Sequence, residues 1–170
     1  MCESSRFLRR AMQHPVRSLT SRACVRTYDY DMTSPFAPSA TSYLDGADHY
    51  IEAACLLCDA ARSVEPIGLL ASHGVELALK AFLLHCQVPE KELRTIGHDL
   101  AELWMRARAR GLEIERGPPY WVRVLAFAHG TAYHLYRYPP ERIASAIPDA
   151  PELKQELANF LRVVTTAVGR

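Results

Sequence analysis

The sequence lacks the marks of several large protein classes. It has no uninterrupted apolar run of the roughly 18 residues that reads as a membrane span, so no membrane is expected as a partner. No segment alternates apolar and polar residues between hairpin turns, so no sheet is predicted. No internal repeat is visible. Net charge is only +1, which excludes the global signature of a polyanion binder while leaving room for a local patch. The five cysteines are odd in number, and their spacings suggest no disulfide framework. A reducing compartment, the cytoplasm, is expected.

What is present suits one domain. At 170 residues with 49% hydrophobic content, the chain is long enough to bury a sizeable core. Residues 1–31 stand apart: six arginines face only Glu3, Asp29 and Asp31. This Arg- and Ser-rich stretch superficially suits an organellar transit peptide. No apolar core or cleavage-like segment follows it, so it reads as a disordered tail, or as sequence upstream of a true start at Met32. Residues 33–40 (TSPFAPSA) form a Pro/Ser linker. The domain is therefore expected over 41–170, with 1–40 as tail and linker.

Helical spacing dominates that domain. Leu44, Ala47, Ile51, Ala54, Cys55 and Cys58 recur at intervals of three and four, predicting a helix over 41–62. A second helix over 66–86, with Pro66 at its first position, is apolar nearly all round and must be buried on most sides. A turn of helix within 89–97 precedes a third helix over 99–110, stopped by Gly111. Gly117-Pro118-Pro119 opens a fourth over 119–137. A proline-rich loop over 138–150 leads to a last helix over 151–168, striped by Leu153, Leu157, Phe160, Leu161 and Val164. The fold class is all-α: an antiparallel bundle of four to five helices.

Candidate chemistry sits on that frame. Cys55 and Cys58 form a CxxC inside an apolar helix, with no second ligand pair at zinc-site spacing. They read as structural core thiols, and no metal site or cofactor is expected. His73, Glu76 and Lys80 fall within about 60° on the second helix and break its apolar surface. Glu76 precedes Lys80 by four residues, the favourable order for an ion pair. The stripe is read as an ion pair on the one solvated strip, or as a polar groove or dimer contact. Asp99 or His98 suits the cap of the third helix, and His98 is alternatively placed to bond across to the second helix. Arg106, Arg108 and Arg110 suit the negative end of a helix dipole. On the fourth helix Arg123, Gly130, His134 and Arg137 share one face within about 60°, Tyr120 borders it, and His129 lies well round from Arg123. Arginine neutralises developing charge and histidine moves protons near neutral pH, the pair that phosphodiester cleavage needs.

Three segments together resemble one family. They are His73-Gly74-Val75-Glu76-Leu77-Ala78-Leu79-Lys80-Ala81, then Gly97-His98-Asp99-Leu100, then Tyr136-Arg137-Tyr138-Pro139. Over most of 41–168 the chain resembles bacterial HEPN-domain proteins (higher eukaryotes and prokaryotes nucleotide-binding). That resemblance implies a dimeric bundle of four or five helices. It also implies, for many members, a metal-independent endoribonuclease of a toxin or defence system, with a composite site at the homodimer interface. The implied motif is an Arg, four to six residues, then a His. Arg123 and His129, with five residues between, match it as the catalytic pair, although Val124 stands where active members often carry a polar residue. Other members bind a nucleotide or a partner protein, for example a nucleotidyltransferase. Under that alternative Glu76, Lys80, His134 and Arg137 are binding residues.

Overall fold

The computed structural model describes residues 39–60, 63–130, 136–137 and 146–169. Expectations for the tail up to residue 38, for His134 and for most of the 138–150 loop fall outside them. Among the described residues there are six helices and no strand: α1 (Ala40–Asp59), α2 (Val64–His85), α3 (Glu90–Ile96), α4 (Leu100–Ala109), α5 (Tyr120–His129) and α6 (Ala150–Val168). The protein is an all-α bundle.

Local chemistry explains the boundaries. Ser39 and Ser42 exchange side-chain-to-backbone hydrogen bonds of 3.0 Å, a reciprocal cap that starts α1. Asp99 caps α4 by accepting from the Glu102 amide at 3.0 Å. α2 begins at Val64, two residues before the expected start, so Pro66 lies within its first turn rather than at its first position. Pro tolerates this because the first amides of a helix have no intrahelical partner. The larger correction is α5. It ends at His129 with Gly130 as C-cap in extended geometry, so the helix expected over 119–137 does not run on to Arg137.

α2 is the hub: α1, α4, α5 and α6 all pack on it. Gly46 of α1 lies against Leu77, and Gly74 of α2 lies against Ile51 and Ala47. That register makes the two helices an antiparallel pair. A Cβ at Gly74 would stand 2.7 Å from Ile51 Cγ1 and 3.2 Å from its backbone nitrogen, so only glycine permits this approach. Val75, Leu79 and Leu83 are fully buried along α2, each worth about 1.5–3 kcal/mol by apolar transfer. By length and composition α2 could cross a membrane, yet 72% of its most apolar window is buried inside the bundle. Its hydropathy is used on neighbouring helices. At one side of the core Trp104, Trp121 and Phe160 join α4, α5 and α6, with ring centroids 5.6–6.0 Å apart.

Candidate functional site

Two of the three residues of the α2 stripe, Glu76 and Lys80, do not face solvent. Glu76 is 2% exposed and Lys80 8%, which corrects the expectation of a solvated strip. An isolated charge at that depth would be very costly, so it must be paired. Lys80 Nζ donates to Glu76 Oε1 at 2.6 Å. The other carboxylate oxygen, Oε2, turns toward three imidazoles. His129 Nε2 stands 2.8 Å away and His98 Nδ1 2.9 Å. His73 Nδ1 is at 3.9 Å.

Four pieces of chain build this cluster. His73, Glu76 and Lys80 lie on one face of α2 by their spacing of three and four. His129 comes from the last position of α5, and its side chain is 1% exposed. His98 comes from the short link between α3 and α4. There Gly97 takes a φ of +66°, a left-handed value that glycine adopts without strain. The Asp99 cap fixes the next residue, and His98 between them is aimed at α2. Tyr50 of α1 closes the rim, its ring edge-on to His73 with centroids 4.5 Å apart. The His98 and His129 rings meet edge to face at 5.4 Å.

Electrostatics set the protonation. Burial opposes ionisation of Glu76, but contacts from His129, His73, Lys80 and His98 outweigh it and hold the carboxyl far below the usual carboxylate range. Glu76 is thus a carboxylate and can only accept. Burial also holds the His129 imidazole below the ordinary histidine range, against the pull of Glu76. A neutral His129 therefore carries its proton on Nε2 and donates it to Oε2, and His98 donates from Nδ1. His73 Nδ1 is buried with no hydrogen-bond partner. The ring edges of His73 and His98 remain partly open, with side chains 28% and 36% exposed. The arrangement can orient imidazoles, hold a proton, or present nitrogen and oxygen lone pairs to a cation.

The remaining sequence-derived candidates separate. Arg123 is exposed on α5, about 120° round the helix from His129. The two do not share a surface within one chain. Tyr120 and Phe127 flank Arg123 on its outward face, 64% and 59% exposed. Arg137 is exposed in a turn beyond α5 and so shares no helical face with Arg123. Arg106 pairs with Glu102 and Glu92, fastening α4 to α3. Cys55 and Cys58 are free, half-buried thiols, raised above their ordinary range by burial. The contact of His98 with α2 was one of the alternatives legible in sequence. The convergence of His129 on Glu76, 53 positions away, had no local signal.

Searches with family models, against curated proteins and against solved structures return no match for this chain.

Proposed function

We propose that the chain is a HEPN-type helical module that binds single-stranded RNA or a nucleotide through the outward face of α5. One observation carries this reading: Tyr120, Arg123 and Phe127 stand exposed on one helical face. Aromatic rings stack on bases, and a guanidinium pairs with phosphate in a forked geometry. The near-neutral net charge fits a small recognition face better than a polyanion groove.

Fluorescence anisotropy with a labelled oligoribonucleotide, over a salt series, tests it. Arg123→Ala is expected to weaken binding and flatten the salt slope by about one. Tyr120→Ala is expected to cost about 1–3 kcal/mol of stacking. If both variants bind as the parent does, this face is not the site.

The second reading is a metal-independent endoribonuclease with Arg123 and His129 of two subunits in one composite site. The five-residue spacing of that pair on α5 favours it. In this reading His129 must leave Glu76 before its ring can reach a 2′-hydroxyl, because its side chain is 1% exposed. Cleavage of the same oligonucleotide in chelator, lost in Arg123→Ala and in His129→Ala, would establish it over simple binding. A dimer or a nucleotidyltransferase-type partner seated on the same α5 face is the protein-binding form of the module, read out by co-purification.

A further inference from the structure

The cluster behind α5 has chemistry of its own, independent of the RNA-binding reading. We propose that His73, Glu76 and His129 form a binding site for one divalent transition-metal ion of the Zn2+ type.

The donor set is two imidazole nitrogens and one carboxylate oxygen, which suits zinc and its first-row neighbours. The three ligand atoms lie within 4.8 Å of one another. Around Oε2 the distances are 2.8 Å to His129 Nε2 and 3.9 Å to His73 Nδ1. Neighbouring ligands of a tetrahedral zinc stand about 3.3 Å apart, and the two observed distances bracket that value. The third separation, between the two imidazole nitrogens, is no more than 4.8 Å, so the rings must close in to share one ion. The fourth position is open toward His98, whose Nδ1 lies 2.9 Å from the same oxygen.

The orphaned atom points the same way. A buried ring nitrogen without a partner is costly, and native structures rarely keep one without reason. His73 Nδ1 is such an atom, and it faces the carboxylate. A cation supplies its partner. The rings of His129 and His98 would then carry their protons on the other nitrogen, turning lone pairs inward. Lys80 serves as the outer partner: by holding Oε1 at 2.6 Å it fixes the carboxylate with Oε2 toward the histidines. Its positive charge offsets that of Glu76, so attraction rests on the imidazoles and the expected affinity is moderate. Ligands from α2 and α5 are rigidly mounted, and the part-open edges of His73 and His98 give an entry path.

The test uses the full chain after chelator treatment. Calorimetric titration with Zn2+ is expected to show one ion per chain and a raised melting temperature. Co2+ is expected to give the visible absorption of a nitrogen- and oxygen-ligated site. His129→Ala can fail to fold because that ring is buried, so His73→Ala carries the decision. Its Nδ1 makes no hydrogen bond, and its circular dichroism should match the parent. A loss of tenfold or more in Zn2+ affinity, with loss of the Co2+ band, supports the site. His49→Ala, an exposed histidine on α1, is expected to change neither. Absence of saturable binding by the parent, or parent-like binding by His73→Ala, overturns the proposal.

Discussion

The two ends of α5 are anchored by opposite chemistry. At its start Trp121 enters an apolar trio with Trp104 and Phe160. At its end His129 enters a charged cluster around Glu76. Both side chains are almost wholly buried, yet burial means different things in the two places. The aromatic trio gains by leaving water, and imperfect packing costs in proportion to the gap. The Glu76 cluster loses by leaving water and recovers that loss only while every partner stays in place. One end tolerates trimming and the other does not.

Replacing Glu76 should therefore give the largest effect. Glu76→Leu keeps the volume but leaves the Lys80 charge and the His129 N–H buried without an acceptor. We expect a loss of about 3–5 kcal/mol in urea unfolding. Adding Lys80→Met to it should restore more than about 1 kcal/mol, since a buried pair replaced together by apolar groups is often near neutral. If the double variant is no more stable than Glu76→Leu alone, the Lys80 pairing is not what holds this end.

This contrast also marks what sequence can reveal. The aromatic end was legible only through Phe160, which falls on the apolar stripe of its helix, and the all-α bundle follows from such stripes; that Trp104 and Trp121 meet it there had no local signal. The Glu76–Lys80 pair was legible as well, because both partners share one helix turn. Its burial was not. The donors that permit burial arrive from His98 and His129, 22 and 53 positions along the chain. A polar stripe without visible partners reads as a solvated face, since an unpaired buried charge is so unfavourable. The end of α5 is hidden from sequence for a related reason. The apolar spacing continues past His129 through Ala132 and Tyr136, while the chain leaves the helix at Gly130 with its amide still bonded to the Ala126 carbonyl.

Beyond the polar end lies a test of close packing. Tyr136 follows α5 and lies over Gly68 of α2. A Cβ at Gly68 would sit 2.3 Å from the Tyr136 ring, which is 4% exposed. Gly68→Ala should cost about 1–3 kcal/mol through displacement of that ring, despite the better helix propensity of alanine. Chemical denaturation of the variant measures it, and stabilisation would show that Tyr136 is not seated there. At the aromatic end, Phe160→Leu should cost about 1–2 kcal/mol. That loss should add to the loss from Glu76→Leu within about 0.5 kcal/mol, as for sites with no shared partner. Strong coupling between them would mean that α5 transmits strain along its length and that the two anchors are one.

The smallest effect separates a polar tip from a buried charge. Tyr136 buries its ring but gives its hydroxyl a partner, the Ala146 carbonyl at 2.7 Å. Burial pushes the phenol well above its ordinary range. Below about pH 10 the phenol is neutral in both the folded and unfolded chains, and its contribution to stability is complete. As the pH rises further, the unfolded phenol ionises while the folded one stays neutral, so stability falls. Tyr136→Phe should cost about 1 kcal/mol at neutral pH through the lost hydrogen bond. It should also flatten the decline of stability above pH 10 relative to the parent, because one group no longer ionises on unfolding. The two curves should approach each other as the pH rises, since the parent alone carries this phenol. Parallel curves would mean that the hydroxyl reaches water in the folded chain. Tyr136 would then belong with the exposed aromatics of α5 rather than with its anchors.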